Sequence, residues 1–413
     1  MKSLFITNKF LGDGELPVTG TYKRLTMFLE AVSSLSDEME LIVFVGNKRS
    51  LSAQDEAVYY SEYAKSISCH FSIKFIRRDG ATPKTITRLF KRPWDLYSDA
   101  VHGYFQTGGP TQIKAIRDSL SAQPDLVFCH RLISISPLLR AGLRHPAIFL
   151  DLDDVEHKAH VRHALAPPRW LSKNLLLLHT PPLVLAERRA LRLARRTYVC
   201  SALDRDYLRR LFRARRVESI ANAVTIPPRQ PMTTEPTLLF LGSAIFAPNL
   251  AATNWLIERV WPLIHAAIPN ARLLLAGEFQ DRVRSFNAPP DGVEFRGYVA
   301  DLQALYSEVR VVTCPVLSGS GTRVKLIEAA AHGRPAVSTH LGAEGLALQD
   351  EQQILLRDSP ADFAAACIRL LGDFELCQKL GDAARSVAEQ HYDRAAIIQA
   401  IQASMRTALA EPA

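Results

Sequence analysis

The stretch that most constrains this 413-residue chain is Pro315 to Leu346, PVLSGSGTRVKLIEAAAHGRPAVSTHLGAEGL. The run before it, with Val309, Val311, Val312 and Cys314, predicts a buried strand. Gly319-Ser320-Gly321-Thr322 is too small and flexible for anything but a tight loop. From about Arg323 to His332 the residues predict a helix rich in Ala and Leu, stopped by Gly333 and Pro335. A second strand follows in AVSTH. Strand, glycine loop, helix and strand together suit an anion such as a phosphate. The loop lets backbone amides come close, and the helix N-terminus adds partial positive charge. Arg323 and Lys325 add two full charges to the first turn, where they oppose the helix dipole and so do little for a purely structural helix. Glu328 stands three residues after Lys325, in reach of a polar group such as a ribose hydroxyl beside the phosphates. The same spacing also allows an ordinary turn in which Lys325 and Glu328 pair along the helix.

A chain of this length is too long for one ordinary core, and two domains are expected. Lys plus Arg exceed Asp plus Glu, 50 against 42, which favours anionic partners without choosing among phosphates, lipid and nucleic acid. The six cysteines, Cys69, Cys129, Cys200, Cys314, Cys367 and Cys377, are scattered and form no CxxC pair. That predicts buried free thiols in a reducing cytoplasm, not disulfides or a zinc site. MKSLFITNKF reads as a first strand instead of a signal peptide, and no run is long enough to span a membrane.

Through residue 221, strand and helix signals alternate. Ser3–Thr7, Leu41–Val45, Ile73–Ile76, Asp125–Cys129, Ala147–Leu150 and Thr197–Cys200 are apolar runs of the kind found in a parallel sheet buried on both faces. Tyr22–Leu35 has helical spacing of Leu25, Phe28, Leu29 and Val32. This pattern predicts a doubly wound α/β domain over residues 1–221. NAVTIPPRQPMTTEPT, residues 222–237, reads as a linker. A second α/β domain is expected over 238–390, with Asn249 capping a helix that carries Leu256, Ile257, Val260, Trp261 and Ile264. The tail is helical from Pro360, with Ser359 as its N-cap, and ends in a helix over 391–413. KTITRLFKRPW, residues 84–94, and the arginine-rich span from Val161 to Arg216 are basic with interleaved apolar residues. They suit docking on an anionic membrane surface and equally suit solvated helix faces. No helix-turn-helix, RRM or zinc-finger pattern supports nucleic-acid binding.

The central block resembles the donor-binding half of a GT-B glycosyltransferase, of the large class called glycosyl transferases group 1, or family 4. The resemblance also rests on GSAIFAPN from Gly242, on Trp261-Pro262, LAGE from Leu275, FRGYV from Phe295, and Asn222. It implies two Rossmann-like domains facing across a cleft, with the first on the acceptor side and the last helix crossing back to it. It also implies a nucleotide-sugar donor, a glycan or lipid-linked glycan acceptor, retention of configuration, and a place in bacterial polysaccharide biosynthesis. The enzyme would be cytoplasmic and peripheral on the inner face of the membrane. Donor contacts would come from Gly20, Gly242, Gly297, Tyr298, Val299, Gly319, Ser320, Gly321, Thr322, Arg323, Lys325 and Glu328. Glu328 would hold the ribose, and Gly297 to Val299 would present backbone groups to the base.

Departures from the family pattern carry information. Ser320 stands where the first glutamate of the family's Glu-x7-Glu motif is expected, and SAIFAPNLAA lacks the Arg and Lys-Gly common after the first donor-domain strand. The phosphate charge must then be met by Arg323 and Lys325. In the first domain His130 follows a strand, as does the cluster Asp151, Asp153 and Asp154. His130 and Asp153 are the expected catalytic residues, Asp153 as a base or ligand for an acceptor hydroxyl. The aspartates also have the DxD spacing of metal-dependent GT-A enzymes, and Asp154 can equally cap a helix. With two cations at the diphosphate, no metal or other cofactor is expected. The rival readings are a nucleotide-sugar 2-epimerase of the same fold and a catalytically inactive scaffold subunit.

Overall fold

The alternating apolar runs form two parallel sheets in the computed structural model, which describes residues 1–11, 19–46, 51–79, 108–165, 175–319 and 321–412. The chain divides into two units, Met1–Ala221 with Ile398–Ala413, and Asn222–Ile397. Residues 12–18, the basic stretch 84–94 and residues 166–174 lie outside the described residues.

In the first unit β1 (Lys2–Thr7), β2 (Glu38–Val45), β3 (His70–Arg77), β4 (Leu126–His130), β5 (Ile148–Asp153), β6 (Arg196–Val199) and β7 (Val217–Ser219) form one sheet. Its order is β3-β2-β1-β4-β5-β6-β7, and every neighbouring pair is parallel. The described helices are α1 (Gly20–Ser33), α2 (Ala53–Ala64), α3 (Pro110–Ser121), α4 (Leu132–Ala141), α5 (Glu156–Leu165), α6 (Thr180–Leu193) and α7 (Ala202–Phe212). The chain steps outward from β1 to β3 and returns to β4 on the other side of β1. Thr7 and His130 therefore stand side by side at the switch point, where open α/β sheets bind ligands. The central strands bury nearly every side chain, as their unbroken apolar runs predict.

One boundary differs from expectation. The fifth strand does not stop before the aspartates but carries Asp151 and Asp153 inside it. An aspartate survives in a buried strand because Arg24, from α1, meets it there.

The second unit's sheet runs β10-β9-β8-β11-β12-β13, again all parallel. Its strands are β8 (Thr237–Leu241), β9 (Arg272–Ala276), β10 (Val293–Gly297), β11 (Val311–Cys314), β12 (Ala336–Ser338) and β13 (Ile354–Leu356). Here the switch point lies between β8 and β11. Helix α8 (Ala247–Trp255) continues through a π segment, Leu256–Val260, into α9 (Trp261–Ala267). Pro262 has no N–H to donate into the α ladder, which accounts for the local change of winding. Leu256, Ile257, Val260, Trp261 and Ile264 are all buried. Asn249 does not cap this helix. The helix starts at Ala247, with Pro248 in its first turn and Phe246 as the N-cap, so Asn249 sits inside with its side chain engaged elsewhere. The unit continues with α10 (Leu302–Ser307), α11 (Val324–Ala331), α12 (Pro360–Gly372) capped by Ser359, and α13 (Phe374–His391). Residues 222–236 have no helix and are bound to this unit. Arg334 donates to the Pro231 carbonyl at 2.8 Å and Arg385 to that of Pro227 at 2.8 Å.

The last helix, α14 (Arg394–Ala410), contributes Ile398 onward to the first unit. Ser404 lies 2.5 Å from Glu218 and 3.1 Å from the Tyr198 hydroxyl. Buried Arg195 donates to the carbonyls of Ala408 and Glu411, and to that of Pro146 at 3.2 Å. Hydrogen bonds from a charged donor are worth about 1.5–3 kcal/mol. Arg195→Met should therefore lower the melting temperature and expose Arg406 to trypsin early. Wild-type melting and an unchanged cleavage pattern would show that the terminal helix does not depend on this clamp.

Candidate functional site

At the carboxyl edge of the second sheet three strand ends are knitted together by backbone. The Gly242 amide donates to Ala276 at 2.8 Å, that of Gly277 to Gly297 at 2.7 Å, and that of Ala244 to Glu278 at 2.9 Å. A Cβ on Gly277, whose φ is +142°, would lie 2.3 Å from the Gly242 carbonyl oxygen. A Cβ on Gly242 would lie 2.8 Å from Lys325 Nζ. Gly277 thus lets the strand ends close up, and Gly242 leaves the position before the lysine ammonium unfilled.

Lys325 is the second residue of α11, and its side chain reaches back toward the strand ends, as long helical side chains do. Its Nζ donates to Asn249 Oδ1 at 3.1 Å and sits 4.2 Å from the centre of the Phe240 ring. Asn249 is fixed in turn by donating to the Ser243 carbonyl at 3.1 Å. The Lys325–Glu328 pair that the spacing also allows does not form, and among the described residues no carboxylate is ion-paired with Lys325. Burial pulls its pKa down to about 8, with the like charge of Arg323 adding to the fall. At neutral pH it remains mostly a cation whose charge is not neutralised by a protein anion.

The loop before α11 curls around Arg323, which donates to the carbonyls of Gly321 at 3.1 Å and Ser318 at 3.4 Å. Gly319 and Gly321 both have positive φ, 106° and 79°, which accounts for glycine at each. Thr322 Oγ1 accepts from Asn222 Nδ2 at 2.8 Å. Ser320 lies outside the described residues. Glu328 is buried one turn farther along the helix. Gly297 takes a left-handed φ of 62°, and Tyr298 beyond it is exposed. Val299 follows, half-buried. The structure thus brings Gly242 and Lys325 within a few ångströms and joins them to Gly297 through Gly277. Sequence reasoning overlooked Gly277 as a site residue and misassigned Asn249. A glycine in LAGE directly after a strand was the available signal for the first. Nothing local signals the second.

The first unit has its own polar cluster at the ends of β1, β4 and β5. Arg24 grips Asp151 through Nη2 at 2.6 Å and Nε at 2.9 Å, and lies 3.2 Å from Asp153. Both Arg24 and Asp151 are almost wholly buried. Burial pushes the Asp151 carboxyl up, against the pull of Arg24. Asp153 has a positive φ of 60° at a bulge in β5, which turns its half-buried carboxylate out of the strand. His130 is enclosed, with Nδ1 3.1 Å from the Thr7 hydroxyl and Nε2 4.0 Å from Asp151. Burial, then the charges of Arg131, Lys9 and Arg24, hold its pKa well below the ordinary value, so the ring is neutral. Gly20 begins α1, whose N-cap Thr19 accepts from the Tyr22 amide at 3.2 Å. Asp153, Asp154 and Cys200 offer atoms within 4.8 Å of one another, the one such group among the described residues that could hold a metal. Burial, then the nearby carboxylates, push the Cys200 thiol up, so a cation there would have to displace its proton.

Gly277→Ala should cost roughly 1–3 kcal/mol of stability in denaturant unfolding, because a backbone oxygen must move. Gly297→Ala, with open space around its Cβ, should cost about 1 kcal/mol from the left-handed φ alone. Equal costs would show that the glycine floor is not packed as described.

Residues 235–373 match the family model described as Glycosyl transferases group 1. An uncharacterized 44.6 kDa protein in the cps region of Klebsiella pneumoniae is 22% identical over 172 residues, 40% of this chain and 44% of that protein. The match thus spans under half of that relative's length. Among solved structures, HepE of Anabaena in complex with UDP and glucose is similar, at 13% identity with a TM-score of 0.62 over 98% of this chain and 100% of HepE. The sucrose-phosphate synthase of Thermosynechococcus elongatus is similar at 18% identity, with a TM-score of 0.67 over 98% of each chain. The chain has the GT-B fold, and the stretch similar to Glycosyl transferases group 1 lies within its second unit.

Proposed function

We propose that this chain transfers a sugar from a nucleotide-sugar donor, bound by the second unit, to a glycan or lipid-linked glycan acceptor. One observation carries the reading: the half-buried Lys325 ammonium, unpaired with any described carboxylate, stands over glycine-lined strand ends at a helix N-terminus. HepE was solved with UDP and glucose, which supports a nucleotide-sugar donor. The Klebsiella relative lies in a cps region, which supports a role in polysaccharide assembly. A lipid-linked acceptor would be met peripherally, from the cytoplasmic side; among the described residues no helix is long and apolar enough to cross a membrane.

The reaction breaks the bond between the anomeric carbon and the diphosphate, and negative charge grows on the leaving group. Fixed donors aimed at that charge are the largest catalytic term available. Lys325, Arg323 and the amides of Gly319, Gly321 and Thr322 supply them without a metal. Glu328 holds the ribose hydroxyls, and the backbone from Gly297 to Val299 meets the base. Asp153, turned out of its strand by the bulge, serves the acceptor hydroxyl. His130, kept neutral, suits hydrogen bonding to the sugar instead of proton carriage. Transfer proceeds with retention of configuration.

Lys325→Ala and Arg323→Ala should each weaken nucleoside-diphosphate binding by ~1.5–3 kcal/mol while the melting temperature holds. Wild-type binding by both variants would refute the anion site. Turnover should survive EDTA. Loss of turnover in EDTA, restored by Mg²⁺ or Mn²⁺, would replace the lysine mechanism with a metal one. Asp153→Asn should lower turnover by roughly 10²–10⁴-fold with little change in donor affinity, and unchanged turnover would remove Asp153 from the chemistry.

A further inference from the structure

On the first unit, α6 and the segment from the end of α7 to Arg216 enclose a groove of about 1030 Å³. Its floor is apolar, with Val184, Leu191 and Phe212, and two lining leucines face water, Leu185 at 36% and Leu211 at 49% exposure. Around them stand Arg188, Arg192, Arg213, Arg215 and Arg216, and the lining contains neither Asp nor Glu. Among the described residues none of these five guanidiniums has an ion pair or a hydrogen bond to a carboxylate. Of the nearby arginines outside the groove, Arg205 pairs with Asp206 at 2.8 Å and Arg196 with Glu218 at 3.1 Å, whereas Arg209 and Arg210 donate to the backbone carbonyls of Val217 and Asp206. Five cations without a carboxylate thus share one lining with an apolar floor.

The platform is also built to stay in place. Glu187, on the inward face of α6, is fully buried and bound to His157 of α5, whose Nε2 lies 2.7 Å from the Tyr207 hydroxyl of α7. One carboxylate thus ties α6 to its two neighbours beneath the groove. On the other side of α6 a second groove of about 570 Å³ shares Arg192 and adds Arg144, Arg189, Leu139 and Leu143. The mixed lining continues around the helix.

We propose that this arginine-rimmed groove seats the first unit on an anionic lipid membrane surface. The exposed leucines enter the acyl boundary and the guanidiniums meet head-group phosphates. Charge complementarity and the apolar floor favour lipid together. A single-stranded nucleic acid would call for exposed aromatic faces, and the one aromatic residue of the lining, Phe212, is half-buried. The inference rests on the proposed function only in supplying a reason for the membrane, since a lipid-linked acceptor lies at such a surface.

The test is flotation of the full chain with vesicles of phosphatidylcholine alone or mixed with phosphatidylglycerol. Wild type should float with the mixed vesicles, stay behind with pure phosphatidylcholine, and release as salt rises. Each arginine lost from such a surface weakens binding roughly fivefold. The triple variant Arg188→Glu, Arg192→Glu, Arg215→Glu should therefore lose on the order of 100-fold or more in partition. Leu185→Ser with Leu211→Ser should lose about tenfold at unchanged charge. A control with the same change in net charge on the second unit, Arg259→Glu, Arg282→Glu, Lys379→Glu, should stay within about twofold of wild type. Circular dichroism reports folding, and transfer to a soluble acceptor, unaffected in the groove variants, separates this inference from the proposed transferase activity. Failure of wild type to float with anionic vesicles, wild-type flotation by the triple variant, or an equal loss in the control would overturn the proposal. So would tighter retention on single-stranded RNA than on the vesicles.

Discussion

A lysine ammonium held in a half-buried site without a carboxylate is the interaction on which the second unit's functional end depends. Phe240 offers its ring face at 4.2 Å and Asn249 a single amide oxygen at 3.1 Å. Neither neutralises the charge. Phe240 belongs to β8, Asn249 to α8 and Lys325 to α11, so the site exists only when those three elements are assembled. The glycines complete it, since side chains at Gly242 or Gly277 would occupy the space before the ammonium or push the strand ends apart. A group this poorly compensated is destabilised as a cation, as its lowered pKa records. A bound diphosphate would remove that penalty.

The first unit shows the opposite arrangement with similar parts. Arg24 is also a buried cation at a sheet's carboxyl edge, but Asp151 meets it with two oxygens at 2.6 to 3.1 Å. Breaking a buried pair by removing one partner costs about 3–5 kcal/mol, because the other charge is left stranded. Arg24 and Asp151 are therefore architecture. They hold the end of β5 against α1 and fix where the bulge falls, and the bulge aims Asp153. Burial, with the charges of Arg131, Lys9 and Arg24, keeps the neighbouring His130 neutral. At its sheet edge the first unit thus neutralises its buried cation with a carboxylate, whereas the second leaves Lys325 with only an amide oxygen.

The sheets were legible in the sequence because each strand is a short unbroken apolar run, and burial on both faces requires just that. The anion site was legible in part. Gly319, Gly321, Arg323 and Lys325 lie within seven consecutive residues, so their geometry is local. The errors concern partners far apart in the chain. Asp151 looked like a residue after a strand because its carboxylate is allowed inside the strand only by Arg24, 127 residues earlier. Asn249 looked like a helix cap because its actual partner, Lys325, is 76 residues away. Gly277 stood out only as part of LAGE and not as a site residue, since nothing near it in sequence reveals the carbonyl of Gly242. The arginines of the groove were visible as a basic stretch. Only the fold separates those facing an apolar floor without carboxylates from those paired with Asp206 or Glu218.

The central claim is that Lys325 waits, partly neutral, for a diphosphate. Calorimetric titration of uridine diphosphate near pH 8, in two buffers of different ionisation enthalpy, tests it most directly. Lys325 is half neutral there in the free protein, and its pKa should rise once an anion sits beside it. The account predicts uptake of up to about half a proton per nucleotide bound, absent in Lys325→Met. Binding without proton uptake, or the same uptake in the variant, would contradict it.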